Sequence, residues 1–206
     1  DLATLNKNVT TYDAAIKHSG NYSAKLQSQY VALFGIGAFA AGNIFVGKFL
    51  KIDGTDGILR FGRPFTSRPS KLVLYYRYVA GTVDYSTLGE LPKNSKDMGS
   101  IYIALGDWPH QTFDGETDIP VLVKTKPADR QLFDSNCSNV IGYGECILKE
   151  STEGEGLIKL EIPINYRSNR KPTDIILVGS ASRYGDYFTG STGSTLWLDD
   201  LELIYE

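Results

Sequence analysis

Short β-prone segments, each bounded by turn residues, recur along the chain and limit the possible folds more than any other feature. The clearest is Lys71–Val79 (KLVLYYRYV), and similar runs lie at Ser100–Leu105, Ile158–Pro163 and Asp174–Ser180. Runs of this length, rich in β-branched and aromatic residues, predict strands. No segment keeps a helical period over a convincing length. About nine or ten strands with no helices between them predict an all-β sandwich rather than a parallel α/β sheet.

Composition and charge narrow the class of protein. The chain has 206 residues, which fits one domain, and its thirteen Tyr and nine Phe against one Met favour strands over helices. The net charge of −3, from 21 basic and 24 acidic residues, offers no basic surface for nucleic acid. We therefore expect no nucleic-acid partner. We expect one domain over residues 18–206, preceded at 1–17 by a linker or a first edge strand.

The most apolar stretch, Tyr30–Gly47, carries no charge. Gly35, Gly37 and Gly42 interrupt it, and Lys48 follows directly. A transmembrane helix needs about 20 steadily apolar residues. We interpret the stretch as two buried strands around a Gly turn, and predict no transmembrane segment in this chain.

Two cysteines, Cys137 and Cys146, bound a short segment (CSNVIGYGEC) that we expect to be part of a surface loop. In an exported protein such a pair would suit a disulfide. The alternative is two free, partly buried thiols, and the spacing leaves both interpretations open.

Aromatic residues beside polar ones give the candidate binding residues. Asp107, Trp108 and His110 follow the predicted strand at Ser100–Leu105. Ligand sites combine aromatic side chains with a few placed polar groups, and a sugar needs a ring for its C–H face and partners for its hydroxyls. The alternative is that Trp108 folds back as a lid over the core, since Trp is mostly buried on average.

A second aromatic cluster precedes the last strand. Tyr184 and Tyr187 lie there in a Gly-rich stretch and allow the same two interpretations, sugar binding or packing.

The closing segment carries two adjacent acids, Asp199 and Asp200. Neighbouring residues of a strand point to opposite faces, which places Asp199 on the more apolar face with Trp197 and Leu201. We therefore expect Asp199 to point inward. A charge in that position needs a partner or a metal.

Motifs of known enzyme classes are missing from the sequence. It contains no nucleophile elbow, HExxH, P-loop or paired CxxC, and only two histidines, His18 and His110, which disfavours a catalytic triad or a His-rich zinc site. A glycoside hydrolase would need two carboxylates about 5 to 9 Å apart, and the chain has enough acids to leave that class open.

Strings at the two ends of the chain resemble galactose-binding-like jelly rolls. They are HSGNYSAKL at His18–Leu26 and LWLDDLEL at Leu196–Leu203. Other strings resemble the putative carbohydrate metabolism domain family of Bacteroides-type surface proteins; they lie at Ala41–Phe49, Phe61–Pro69, Leu72–Tyr78, Lys171–Asp174, Ser180–Ser182, Gly185–Phe188 and Gly193–Leu196. Their order agrees over nearly the whole chain from His18 onward. The resemblance implies a single jelly-roll β-sandwich of the kind found in carbohydrate-binding modules.

The resemblance also implies a cellular location and a metal. It implies an exported protein of the cell surface or periplasm, anchored in the outer membrane as a lipoprotein, in which this domain follows a smaller β-domain. The start at Asp1 rather than Met is typical of a processed product or an excised domain. In related jelly-roll modules an acid of the closing strand helps to bind one structural Ca²⁺, which takes six to eight oxygens. Here Asp199 and Asp13, with Asn21 and nearby carbonyls, would supply them; the alternative is that Asp199 accepts backbone N–H bonds.

Three functional hypotheses follow. The first, which we favour, is a non-catalytic carbohydrate-binding module that takes a polysaccharide or oligosaccharide, with Trp108 as the best single residue. The second is a glycoside hydrolase that uses a pair of loop carboxylates. The third is a structural or adhesive module whose ligand is another protein.

Overall fold

A computed structural model of the chain describes residues 8–33, 36–54, 56–89 and 91–205. These residues form eighteen strands and a short 3-10 turn at Gly185–Tyr187. The strands are β1 Thr10–Asp13, β2 Ser23–Gln27, β3 Gln29–Leu33, β4 Ile36–Ala40, β5 Asn43–Phe45, β6 Gly47–Asp53, β7 Asp56–Phe61, β8 Arg63–Pro64, β9 Lys71–Val79, β10 Gly99–Gly106, β11 Gln111–Phe113, β12 Glu116–Ile119, β13 Val121–Lys124, β14 Val140–Leu148, β15 Ile158–Pro163, β16 Asn165–Tyr166, β17 Asp174–Ser180 and β18 Thr195–Ile204.

Two antiparallel sheets form a sandwich. The first has the order β1-β2-β18-β9-β15 and the second the order β16-β14-β10-β17-β5. The chain changes sheet between β9 and β10, between β14 and β15, and between β17 and β18. This alternation is the double-sheet arrangement of a jelly roll, and it confirms the all-β fold expected from the strand pattern. Strand β1, inside the 1–17 stretch, is the edge strand of the first sheet.

The main core lies between the two sheets and is filled by alternate residues of their strands. Its fully buried side chains are Leu26, Leu72, Leu74, Tyr78, Ile101, Ile103, Leu105 and Leu196. Burial of each such side chain stabilises the fold by about 1.5–3 kcal/mol. Because a slip of one residue would turn these side chains to the opposite face, the core sets the register of both sheets.

A second core lies on the other face of the second sheet, beneath an outer layer made of the β13-β7-β6 sheet and the β3–β4 hairpin. Its buried residues are Phe61, Ala104, Trp108, Val123, Val140, Ile176 and Val178. Between this outer layer and the second sheet lies a space of about 550 Å³, called here the interior cavity.

The region after Cys137 corrects an expectation. It was expected to be a long surface loop, but β14 is a full strand of the second sheet, paired with β10. Its glycines serve close packing rather than turns: a Cβ on Gly144 would lie 2.4 Å from the carbonyl oxygen of Pro163. Glycine in a strand marks such a close approach of another backbone.

The apolar Tyr30–Gly47 stretch forms the β3–β4 hairpin, then β5 and the start of β6. Strands β3 and β4 pair antiparallel from Gln29 with Ala40 to Leu33 with Ile36. The hairpin tip at residues 34–35, with the Gly35 of the expected turn, lies outside the described residues. Within the part of the chain that is described, no helix has the length and apolar character needed to cross a membrane.

Candidate functional site

Trp108 lies in the second core rather than on the surface. The residue is 7% exposed, and its ring meets Phe133 edge-on at 6.2 Å between centroids. A Cβ on Gly106 would lie 2.5 Å from the Trp108 ring, so the loop folds back tightly over the sheet. A sugar cannot reach the ring faces, which corrects the expectation that Trp108 stacks on a glycan. The residue closes the end of the second core.

Asp107 and His110 are engaged by protein groups. The Oδ2 atom of Asp107 accepts a hydrogen bond from Arg170 at 2.5 Å. The Nε2 atom of His110 lies 3.0 Å from Oδ2 of Asp174, a fully buried acid. These contacts fasten the loop after β10 to the start of β17. The polar groups expected around a sugar at Trp108 therefore stabilise a connection instead.

Tyr184 directly precedes the 3-10 turn before the last strand and Tyr187 is its last residue; both are half-buried. Arginine side chains lie near both rings: the guanidinium carbon of Arg183 is 6.0 Å from the Tyr184 centroid and that of Arg130 is 4.7 Å from the Tyr187 centroid. The turn carries Asp186, which lines the interior cavity. Neither tyrosine shares a site with Trp108.

The closing strand also differs from the expectation. Leu196 and Leu198 pack in the main core, so Trp197 and Asp199 lie on the outer face of the first sheet, and Asp199 does not point inward. Trp197 is nevertheless buried, because Lys25 and Arg77 cover its ring with cation-to-centroid distances of 5.6 and 5.3 Å. Apolar residues on both faces of the strand made the inward face ambiguous.

The expected calcium ligands face N–H donors. Oδ2 of Asp199 accepts backbone N–H bonds from His18 at 2.8 Å and Ser19 at 3.3 Å. Asp13 accepts from the backbone N–H of Ile16 at 3.0 Å and from the Trp197 indole at 3.0 Å. These donors, the Ile16 N–H most, lower the pKa of Asp13 below its usual value.

That donor set does not fit a calcium ion, which needs six to eight oxygen ligands. The described residues also contain no group of three or more acids, histidines or cysteines placed to hold a metal. Asp13 and Asp199 act as hydrogen-bond acceptors that fasten the 13–19 segment to the outer face of β18.

Cys137 and Cys146 are free thiols. Cys146 packs against the main core, whereas Cys137 packs against the second core, on the opposite face of the second sheet. A disulfide requires Cα atoms within about 7 Å and converging side chains. The sheet between the two thiols explains why they do not pair, and the structure agrees with the second of the two interpretations, free and partly buried thiols.

An open groove on the surface, which sequence reasoning missed, gathers aromatic and polar side chains. Its volume is about 480 Å³. The described residues that line it are Gln29, Tyr30, Asp84, Tyr85, Lys93 and Thr192. The rings of Tyr30 and Tyr85 stack with 5.3 Å between centroids and 11° between planes. Tyr30 is 36% exposed, so the aromatic floor of the groove reaches solvent.

The groove is assembled from three parts of the chain. Tyr30 comes from the β3–β4 hairpin, Tyr85 from the loop after β9, and Thr192 from the loop before β18. Tyr85 forms a backbone bridge with Gly190, and a Cβ on Gly190 would lie 2.7 Å from the ring of Phe39. Phe39 is 3% exposed and stacks beneath Tyr85 at 5.7 Å between centroids, so a buried ring of β4 supports the floor.

The carboxylate of Asp84 is fixed within the groove. The backbone N–H of Thr192 donates to both of its oxygens, at 3.1 and 3.2 Å, and the Thr192 hydroxyl donates to Oδ2. Lys93 and Gln29 add a cation and an amide to the same rim. Asp84 therefore presents its remaining lone pairs in one orientation.

Beneath the groove, a buried acid holds the loop before β18. Oδ2 of Asp97 accepts hydrogen bonds from Ser182 Oγ at 2.6 Å, Ser194 Oγ at 2.7 Å and the Ser191 backbone N–H at 2.8 Å. Asp97 is fully buried, and burial raises its pKa. The loop that contributes Thr192 is thus anchored from below.

The model of one protein family, the putative carbohydrate metabolism domain, matches residues 2–204. The chain belongs to this family. The match confirms the resemblance of its sequence strings to the putative carbohydrate metabolism domain, and it supports a carbohydrate-related role. No curated protein matches the chain.

Two solved structures resemble this putative carbohydrate metabolism domain. One, a putative glycoside hydrolase from Bacteroides thetaiotaomicron VPI-5482, has a TM-score of 0.68 and 22% identity, over 98% of this chain and 58% of its own. The other, a putative glycoside hydrolase from Bacteroides vulgatus ATCC 8482, has a TM-score of 0.66 and 24% identity, over 96% of this chain and 78% of its own. The chain thus spans 58% of the first and 78% of the second. At these identities the likeness shows a shared fold.

Proposed function

We propose that the Tyr30–Tyr85 groove binds a polysaccharide or oligosaccharide and that this domain is a non-catalytic carbohydrate-binding module. The observation that carries the proposal is an exposed aromatic floor beside a fixed carboxylate, a lysine and an amide. Membership of the putative carbohydrate metabolism domain family supports a sugar as the ligand.

The groove offers each kind of contact that a sugar needs. The C–H face of a pyranose ring can pack on the exposed Tyr30 ring, while Asp84 accepts hydrogen bonds from vicinal hydroxyls and Lys93 donates to them. Because Thr192 already orients Asp84, little side-chain entropy is lost on binding. An open site with these contacts suits a dissociation constant on the order of 1 mM to 10 μM, a binding free energy of about −4 to −7 kcal/mol.

Binding fits the groove better than hydrolysis does. Among the described residues that line it, Asp84 is the single acid. Glycoside hydrolysis uses a pair of carboxylates about 5 to 9.5 Å apart on the two sides of the scissile bond. One carboxylate, occupied by donors from Thr192, serves as an acceptor for sugar hydroxyls.

The proposal includes a location. The family resemblance supports export to the cell surface or periplasm, with the full-length protein anchored in the outer membrane as a lipoprotein. In that setting a binding module would hold a glycan near the other parts of the same protein.

A glycan array tests the proposal. The purified domain should give hits that cluster in one glycan class, and a mixture of those glycans with the domain should show no sugar release. Silence on a broad array would overturn the proposal in favour of a protein ligand. Sugar release would overturn it in favour of a hydrolase.

A further inference from the structure

The interior cavity opens to solvent beside Ile52, which is 40% exposed, and lies apart from the proposed glycan groove. The cavity measures about 550 Å³, within the range of about 300–1,000 Å³ typical of small-molecule sites. The β3–β4 hairpin separates the two spaces, since Tyr30 lines the groove whereas Val31 and Ala38 line the cavity.

Aromatic rings make up much of the cavity wall. They belong to Phe39, Phe45, Phe49, Phe61, Tyr102 and Phe188. Small residues leave the space open on the side of the outer layer, where Gly37, Ala38 and Ala40 of β4 and Gly57 of β7 line it. Polar side chains such as Ser100 and Thr125 line the cavity as well, but its surface is mostly apolar, which favours a ligand with an apolar or aromatic body.

One acid faces this space without a partner. Asp186, in the 3-10 turn, lines the cavity and makes no hydrogen bond or ion pair with any residue that the structure describes. Asp186 is exposed by surface area although protein atoms surround it on many sides, because it lines the open cavity. Burial raises its pKa, and the charge of Arg130 opposes that effect in part. Because its surroundings disfavour the ionised form, a cation bound beside Asp186 would stabilise that form.

The other charges at the cavity are balanced by neighbours. Arg183 lines it, but its guanidinium is paired with Glu145. Asp56 also lines it and feels the charge of Lys126, whose ammonium group is paired with Asp53. Asp186 feels the charge of Arg130 but makes no hydrogen bond or ion pair with a described residue, so it can pair with a ligand in the cavity. A cation would be favoured and an anion repelled.

We infer that the interior cavity binds an organic ammonium compound with an aromatic or alkyl body. The ammonium group pairs with Asp186, and the body packs among the phenylalanine rings. Aromatic faces attract cations through the ring quadrupole, so the lining reinforces the selection made by the carboxylate. This site is distinct from the glycan groove and does not depend on it.

Three probes of equal length test the inference: 4-phenylbutylamine, 4-phenylbutanol and 4-phenylbutanoate. Each is titrated against the whole chain preloaded with the neutral fluorophore N-phenyl-1-naphthylamine, and its displacement is measured at neutral pH. We expect the amine to bind at least 10-fold more tightly than the alcohol, and the butanoate to bind more weakly than the alcohol. Equal affinities for all three, or no displacement by any of them, would overturn the inference.

Two variants locate the site. Asp186→Asn keeps the side-chain shape and should remove the preference for amine over alcohol while leaving alcohol affinity unchanged. Ala38→Phe fills the cavity from the opposite wall and should weaken both. Asp84→Asn and Tyr30→Ala, in the groove, should change neither, which separates this test from that of the proposed function. An amine preference that survives in a folded Asp186→Asn protein would contradict the assignment.

Discussion

The rings of Tyr30 and Tyr85 stack with 11° between their planes, although the two residues are far apart in the sequence. The contact joins the β3–β4 hairpin to the loop after β9, and the bridge from Tyr85 to Gly190 brings in the loop before β18. The groove therefore exists only in the folded domain. Its aromatic floor rests on Phe39, a buried residue of β4.

The first prediction concerns the anchor beneath the groove. Asp97→Asn should lower the free energy of unfolding by about 2–4 kcal/mol, because both buried carboxylate oxygens accept hydrogen bonds and an amide nitrogen would replace one of them in either orientation. Urea denaturation measures the change. The control is Asp114→Asn, whose side chain is 60% exposed and whose loss should change stability by less than about 0.5 kcal/mol. Equal effects of the two variants would contradict the role of Asp97.

The second prediction concerns acid pH. Hydrogen bonds from Ile16 and Trp197 hold the pKa of folded Asp13 below its ordinary value of 3.8. Stability from this group is therefore present above pH 3.8 and is lost as the pH falls through the lower, folded pKa. In Asp13→Asn the free energy of unfolding should therefore fall less steeply below about pH 4 than it does in the native protein. Thermal melts between acid and neutral pH measure it, and an unchanged acid slope in the variant would contradict the role of these hydrogen bonds.

How far the sequence predicts this fold depends on what bounds each strand. Strands β9, β15 and β17 have the predicted limits, because β-branched and aromatic runs end there at turn residues. Strand β14 was missed because Gly142 and Gly144 resemble turn residues, whereas both allow neighbouring groups to approach closely. Their role depends on Pro163 and Tyr166, which lie in later strands.

The candidate site was harder to predict for the same reason. Trp108 has the polar neighbours of a sugar platform, but the tight return over Gly106 buries it. Tyr30 lies in a stretch whose apolar character indicated only buried strands. Tyr85 lies in a loop with no recognisable motif. Nothing local in the sequence connects these two residues, because the contact between them is created by packing on Phe39.

The third prediction concerns the thiols. Because the second sheet separates Cys137 from Cys146, alkylation of unfolded protein without reductant should add two adducts by mass. Reductant should leave the melting temperature unchanged. The strictest test uses protein purified from an oxidising compartment. A mass two hydrogens below that of the reduced chain, with no alkyl adducts, would show a disulfide and contradict the prediction.

The fourth prediction concerns calcium. Asp13 and Asp199 already accept N–H bonds, so millimolar Ca²⁺ should not raise the melting temperature and EDTA should not lower it. An ion bound to the folded state with a dissociation constant 100-fold below its concentration would stabilise it by about 2.7 kcal/mol. If Ca²⁺ raised the melting temperature by several degrees and Asp199→Asn abolished that rise, the prediction would be wrong and Asp199 would be a calcium ligand.

The measurement that tests the central claim most directly is calorimetric titration of the best array glycan into three proteins: native, Tyr30→Ala and Tyr205→Ala. Tyr205 is 56% exposed and does not line the groove, which makes it a matched control. We predict that Tyr30→Ala raises the dissociation constant at least 10-fold, a loss of about 1.4 kcal/mol, in a protein that remains folded, and that Tyr205→Ala binds as the native domain does. Native affinity in a folded Tyr30→Ala protein would contradict the account.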